Sequence, residues 1–409
     1  MQGAHRLLVA SRGGTVGLSN LGNTCFMNAG LQCLSHLEPL SLYFLSGKYA
    51  EAVRRGRGPA GAAHGELARS FAKLQEELWQ RSSGAYPPRP LHTTLSRFAP
   101  HLFEDMRQQD VQEFLAFLLD GLHEDLNLVR TPPRAASSRA RPRSGSRGPA
   151  EGGGAAGAAS KGREARAADL AWTRHLRRHR SFLVDLFQGQ LRSRLACCRC
   201  KKESDSFEPC LMISVPLAEG MRSLEDALSL YVAEETLSGQ EQWRCPRCQR
   251  RVNARKKIDI WKLPPVLILH LKRFAFDPAR KGLRKIEVEL KSPLTVDLSR
   301  FARDPEGRSH LYSIVGVANH SGNCGSGHYT ATCKHPITGS FHVFNDDHVE
   351  ELRDVENVLT KDAYVLFLAR DAQELHAHLQ SAAAGPRAPG PRPGSTPPAP
   401  APGRPADLE

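Results

Sequence analysis

Residues 17–34 read GLSNLGNTCFMNAGLQCL, a polar Gly/Asn-rich stretch that turns apolar at helical spacing from a cysteine onward. NLGNTC supplies flexible, cap-forming residues. CFMNAGLQCLSHL then continues as a helix whose Phe26, Ala29, Leu31 and Leu34 can pack inward. A helix N-terminus presents unpaired N–H groups and about half a positive charge, and both favour a thiolate, the nucleophilic form of cysteine. Cys25 therefore stands where a nucleophile would, whereas Cys33, among apolar residues, reads as structural. A thiolate enzyme also needs a base and a group to orient it. His328, in CGSGHYTATC, follows glycines at 325 and 327 that permit close backbone approach and precedes an alternating strand pattern. Asn345 and Asp346, in VFNDDHV, end a later strand and could hydrogen-bond an imidazole, giving a Cys–His–Asn/Asp set in triad order. His270 and His320 compete for the base role, and spacing alone does not choose among seventeen histidines.

A second chemistry is written in CCRCKK and WRCPRCQR. Cys197 with Cys200 and Cys245 with Cys248 are two C-x-x-C pairs, like the knuckles of a zinc ribbon. Four thiolates on tetrahedral zinc make a closed, structural site with no open position for catalysis. The 44 residues between the pairs exceed a compact ribbon's spacing, so each pair is expected to tip its own hairpin. Redox pairs or free thiols are the alternative.

The elements that must position these groups change character along the chain. DVQEFLAFLLDGLHEDLNLV (110–129) has apolar residues at 111, 114, 115, 118, 119 and 122, a helical stripe, and HGELARSFAKLQEELW (64–79) is similar. Later segments switch to period two or to solid apolar runs: PPVLILHLKRFAF, KIEVELKSPLTVDL, HLYSIVGVANH, GHYTATCKH, FHVFNDDHV and AYVLFLA. Helices dominate the first third and an antiparallel-type sheet the last, an α+β arrangement.

The net charge of +13 invites a nucleic-acid reading, but thirteen Arg/Lys against three acids between residues 130 and 180 supply ten of those charges. The rest of the chain is close to balanced, which argues against a folded nucleic-acid binder. That stretch, rich in Arg, Gly, Ala, Ser and Pro, is expected to be a disordered insert, and residues 371–409 a Pro-rich disordered tail. No apolar run approaches the roughly 20 residues of a membrane span, and residues 1–14 lack the core of a secretion signal. The expectation is a soluble intracellular protein, cytoplasmic or nuclear, and a monomer. Ten cysteines then suggest ligands or catalysis before disulfides.

Together these residues resemble a family. GLSNLGNTCFMNAGLQCL is similar to the cysteine box of the ubiquitin-specific proteases, QQDVQEFLAFLLDGLHEDL to their helical motif, and LPPVLILHLKRF to a strand motif. NHSGNCGSGHYTATCK with FNDDHV is similar to their histidine box, and the two C-x-x-C pairs to their zinc-bearing fingers. The resemblance covers roughly residues 15–370, with the fingers at 190–260. It implies a papain-like thumb–palm–fingers catalytic domain that cleaves the bond after the C-terminal glycine of ubiquitin on protein substrates. Residue by residue, it implies Cys25 as nucleophile, His328 as base, Asn345 at the third triad position with Asp346 beside it, and Asn20 as the oxyanion-stabilising side chain. It also implies a substrate tail of Arg-Gly-Gly type. Asp110 and Glu113 lie at i and i+3 of one helix face and are candidates to hold that arginine; a charge pair suited to the helix dipole is the alternative.

Three features depart from the family pattern. Asn345 stands where many relatives carry Asp; Asn can orient a histidine but adds no charge against an imidazolium. Asp105 and Met106 stand where relatives often have a glycine and an aromatic. The 130–180 insert is foreign to a compact core. Two rivals accompany the protease reading: a weakly active or inactive ubiquitin-binding scaffold of the same fold, and a zinc-dependent nucleic-acid binder using the Arg-rich segment.

Overall fold

The computed structural model describes residues 13–56, 65–103, 107–129, 155–277, 281–303, 310–323, 325–371 and 375. Its main helices are α1 (Cys25–Ser35), α2 (Glu66–Gln80), α3 (Val111–Leu126), α4 (Ala155–Leu176) and α5 (Phe182–Phe187). The strands that matter for the site are β1 (Gly189–Cys197), β2 (Glu203–Cys210), β3 (Met212–Pro216), β4 (Ala254–Lys262), β5 (Val266–Lys272), β6 (Leu311–Gly322), β7 (Gly327–Lys334), β8 (Phe341–Asn345), β9 (His348–Leu352) and β10 (Ala363–Arg370). The architecture is α+β, as the change of period requires.

The large sheet runs β9-β8-β7-β6-β10-β5-β3, with Thr295–Asp297 added beside β6. Every pairing along it is antiparallel except β5 with β3. The solid apolar runs VLILHL and AYVLFL are its central strands because both of its faces are covered. Val266, Ile268, Val365 and Phe367 face a core built with α1, α2 and α3. Leu267, Leu269, Leu366 and Leu368 face a second core closed by the short helix Leu224–Tyr231. A smaller sheet, β2-β1-β4 with Glu235–Leu237, projects the cysteine hairpins.

Helix α1 is buried at every position from Cys25 to Ser35. Its polar residues recur every four positions and bind the backbone of the preceding segment. Asn28 Nδ2 donates to the Leu18 carbonyl (3.2 Å) and Gln32 Nε2 to the Val16 carbonyl (2.8 Å). His36 Nε2 meets the Gly14 carbonyl at 2.9 Å. Four helical residues rise about 6 Å and two extended residues about 6.6–6.8 Å, so the spacings match and the two segments run antiparallel along each other. Burial pushes the His36 pKa down to about 4.

Two expectations are corrected. Residues 130–180 are not wholly a disordered insert, because Ala155–Leu176 is a helix. Its alanines favour helix, and Glu164 and Ala168 tie it to the small sheet. Glu164 accepts from Arg192 (2.7 Å) and Arg194 (2.9 Å), the Ala168 carbonyl accepts from Gln190 (3.0 Å), and Lys262 lies over the Trp172 ring. The remainder of that stretch, 130–154, lies outside the described residues, as does the tail beyond residue 371 except Leu375. Secondly, the alternating KIEVELK is not a strand beyond Lys285. The buried Arg273 guanidinium takes the carbonyls of Ile286 and Val288 (both 2.9 Å), substituting for a strand neighbour.

Arg192, almost fully buried, pairs with Asp259 as well as Glu164. Removing Asp259 leaves the buried guanidinium with Glu164 alone and strips the acceptor from its Nε and Nη2. Asp259→Ala is expected to lower unfolding stability by about 3–5 kcal/mol; denaturant unfolding indistinguishable from wild type would refute that weight.

Candidate active site

The loop before α1 is organised by one side chain. Asn20 Oδ1 accepts from the N–H groups of Gly22 (3.0 Å) and Thr24 (3.1 Å), while Leu21 N–H donates to the Thr24 hydroxyl at 2.9 Å. Gly22, at φ 108°, occupies a conformation that favours glycine. This closed loop delivers Cys25 as the first residue of α1, buried to 2% exposure and with no cap side chain on the helix.

His328 is the second residue of β7, and α1 packs directly on this strand. The strand start is held from outside the sheet: Gln108 Nε2 donates to the Gly327 carbonyl (2.7 Å), and Gly327 N–H donates to Gln108 Oε1 (2.9 Å). A side chain at 327 would collide with the His320 ring, since a Cβ there would lie 2.2 Å from His320 Nε2. His328 Nε2 lies 2.7 Å from Asn345 Oδ1, the last residue of β8. An amide oxygen only accepts, so Nε2 carries the hydrogen and Nδ1 keeps a free lone pair. The competing histidines are engaged elsewhere. His270 Nδ1 bonds Ser214 Oγ (3.0 Å), and the buried His320 packs edge-on against Tyr329 and Phe274. Burial holds the pKa of both below the ordinary range.

Asp346 turns away from the imidazole, correcting the expectation that it could share that bond. At φ 52° it is in the left-handed region, and its carboxylate faces the loop before α1 instead. Oδ2 accepts from Asn20 Nδ2 (2.9 Å) and Oδ1 from Asn28 Nδ2 (2.8 Å). Neighbouring residues of one turn thus serve two different groups. The Asn20 amide is oriented by Asp346 and still has a second N–H to offer. Burial pushes the Cys25 thiol up; a backbone N–H of Tyr329 pulls it down, and the Asp346 charge adds to the rise.

Asp110 is the N-cap of α3, accepting from Gln112 N–H (2.6 Å) and Glu113 N–H (3.4 Å) and from the Tyr364 hydroxyl. Glu113 is exposed one turn on. Both carboxylates push up the pKa of the buried Tyr364 and Tyr329 hydroxyls, after the larger effect of burial, so both lie on the side facing β7 and β10. Asp105 and Met106 lie outside the described residues.

The two C-x-x-C pairs do tip separate hairpins, Cys197–Cys200 between β1 and β2, and Cys245–Cys248 between Trp243–Arg244 and Arg251–Val252. The four sulfurs gather within 4.8 Å of one another, with Cys197 Sγ 3.9 Å from Cys248 Sγ and Cys200 Sγ 3.6 Å from Cys245 Sγ. Each pair also aims a backbone N–H at its first sulfur, from Cys200 to Cys197 Sγ (3.3 Å) and from Cys248 to Cys245 Sγ (3.4 Å). The Cys200 N–H lowers the Cys197 thiol, while hydrogen bonding with Cys200 raises Cys248. A divalent cation that takes thiolates would relieve that crowding.

Sequence reasoning missed Gln108, Asn28 and the Tyr329 backbone. Gln108 and Asn28 each sit inside a quoted motif, but the bonds from Gln108 to Gly327 and from Asn28 to Asp346 reach across more than 200 residues, and no local pattern reports that.

The family model described as Ubiquitin carboxyl-terminal hydrolase matches residues 16–368. Ubiquitin carboxyl-terminal hydrolase 2 of Rattus norvegicus is 38% identical over 359 residues, covering 87% of this chain and 54% of that protein. Ubiquitin carboxyl-terminal hydrolase 21 of Mus musculus is 37% identical over 372 residues, covering 89% of this chain and 62% of that protein. The chain thus spans about half to three fifths of the length of these curated relatives. Among solved structures, the SAGA Ubp8/Sgf11/Sus1/Sgf73 DUB module bound to ubiquitin aldehyde is similar in fold, with a TM-score of 0.65 at 22% identity over 88% of this chain and 70% of that chain.

A raised thiol has less thiolate at neutral pH, so Cys25 depends on a nearby base to react there. With His328→Ala, iodoacetamide labelling of Cys25, followed by peptide mass spectrometry, is expected to shift to higher pH and to slow at pH 7. Identical pH profiles in the two proteins would show that His328 does not act on the thiol.

Proposed function

Because this chain belongs to the ubiquitin carboxyl-terminal hydrolase family, we propose that it is a thiol-dependent deubiquitinase, hydrolysing the isopeptide or peptide bond after the C-terminal glycine of ubiquitin on protein substrates. The observation that carries the reading is the His328–Asn345 hydrogen bond at the start of β7, the strand on which α1 packs with Cys25 as its first residue.

In this reading His328 Nδ1 takes the Cys25 proton, and the sulfur attacks the carbonyl carbon of the last glycine. The free N–H of Asn20 and backbone N–H groups at the start of α1 stabilise the oxyanion; one such donor is worth about 3–4 kcal/mol in comparable sites. Asp346 holds the Asn20 amide for that task. As the C–N bond breaks, His328 returns the proton to the departing amine. Water then hydrolyses the thioester and restores the thiol. Asn345 fixes the imidazole tautomer without adding charge, so the imidazolium relies on the thiolate itself for its counter-ion.

Cys197, Cys200, Cys245 and Cys248 fit a structural zinc ion, which would supply folding energy to the two hairpins and no catalytic step. The nucleophile and the ligands must stay reduced, which suits the cytoplasm or nucleus. We take the protein to act as a monomer on ubiquitinated proteins rather than on nucleic acid, since the basic surplus is concentrated in one inserted segment.

Hydrolysis of a ubiquitin C-terminal fluorogenic amide, with zinc measured on the same samples, tests this. Turnover abolished in Cys25→Ala, with about one zinc per chain in both proteins, is the expected outcome. A folded, zinc-loaded wild type without turnover would make the chain a ubiquitin-binding scaffold instead. The proposed arginine contact is tested at Glu113, because Asp110→Lys would also remove a helix cap, a loss of about 1 kcal/mol. Glu113→Lys is expected to raise KM for the ubiquitin amide with kcat little changed; an unaltered KM would assign the pair to the helix terminus alone.

A further inference from the structure

The inserted stretch leaves and rejoins the fold at one narrow neck. Leu128 N–H donates to the Arg180 carbonyl (2.8 Å), and the Asn127 side chain bridges both chains, donating to the Arg178 carbonyl (3.0 Å) and accepting from Arg180 N–H (3.1 Å). Beside this neck the last turns of α3 and the segment after α4 bring three ligand-type side chains together. His123 Nε2 lies 3.1 Å from His179 Nδ1 and 3.7 Å from a Glu124 carboxylate oxygen, and the three ligand atoms all fall within 4.8 Å of one another. None of them belongs to the catalytic constellation or to the cysteine cluster. We propose that His123, His179 and Glu124 form a second metal site, one that takes a late first-row divalent cation such as zinc at the neck of the insertion.

The geometry suits such an ion. Two ligands bound at about 2.0–2.1 Å in a tetrahedral arrangement stand roughly 3.4 Å apart, and the observed 3.1 and 3.7 Å separations straddle that value. Two imidazoles and a carboxylate are a donor set for zinc, nickel or copper rather than for magnesium or calcium. The ligands are also supported from behind. His123 Nδ1 lies 2.8 Å from the hydroxyl of Ser181, which is itself buried as the N-cap of α5. A proton on Nδ1 shared with that oxygen leaves Nε2 as the lone pair, the arrangement common to metal-binding histidines. The His179 ring stacks on His175 (4.9 Å between centroids, 22°), and His175 is anchored to Gln188 Oε1 at 2.5 Å. Glu124 is 38% exposed, which gives the ion a route in and leaves room for a water as fourth ligand. Bound there, the cation would cross-link α3 to the segment between α4 and α5, tying the inserted helix to the helical layer.

The test is zinc titration by calorimetry into the full chain after its cysteine cluster has been filled. One further equivalent is expected in wild type and in His101→Gln, an exposed histidine outside the cluster. His179→Gln and Glu124→Gln, both at partly exposed positions, should lose that equivalent or weaken it at least about tenfold, and Ser181→Ala should weaken it by roughly ten- to a hundredfold. Cobalt in the same site should absorb in the d–d region without the sulfur-to-metal band of the cysteine site, and zinc should raise the melting temperature of wild type but not of His179→Gln. The proposal is overturned if the additional zinc binds with the same stoichiometry and affinity in His179→Gln as in wild type. The contacts would then be a hydrogen-bonded histidine pair and nothing more.

Discussion

A buried helix that carries polar side chains must find partners for them, and α1 finds carbonyls in the backbone beside it. Asn28, Gln32 and His36 each take a carbonyl from the segment ending at Leu18. Because the helix is closed in on all sides, these bonds are shielded from water, and a vacant partner would cost the full desolvation of a buried amide. The ladder therefore fixes the register between the helix and the chain that leads into it. That register decides where the loop of residues 20–24 ends and hence where Cys25 lies relative to β7.

The turn after β8 extends this constraint across the sheet. Asn345 faces the imidazole, while Asp346, forced into the left-handed region, faces Asn20 and Asn28. The groups that hold the imidazole and the Asn20 amide are adjacent in sequence, so one hairpin sets both. The negative charge of the turn is placed on the side of the amides. Its effect on the thiol is to raise it, secondary to burial. The geometry thus accepts a less acidic thiol in exchange for an Asn20 amide held in one orientation.

Much of this was legible in advance because it is local. The helical stripe of 110–129, the solid strands around Leu267 and Val365, and the hairpin placement of the cysteine pairs all follow from periodicity and spacing. By spacing His328 was the best of several candidates, and only the family resemblance singled it out, since its partner Asn345 is defined by a cross-strand contact. Asp346 was misread because its backbone conformation, which turns its carboxylate away, leaves no trace in FNDD. The helix Ala155–Leu176 was misread because it docks through Glu164 on Arg192 and Arg194, polar groups that an apolar count does not register. KIEVELK was misread for a related reason: a guanidinium, not a strand, completes its hydrogen bonding.

The neck at Asn127 and Arg180 has a consequence for how this chain can be altered. Where two ends of an excursion are stitched side by side, what lies between them contributes little to closing the rest of the fold, since loop entropy grows only slowly with length. A folded module could therefore be spliced in between Val129 and Ala155, or the polypeptide cut there and kept as two associating halves, without disturbing the register of α1. Lineages would be free to change this stretch in length and composition while the hairpin of Asn345 and Asp346 admits neither insertion nor deletion.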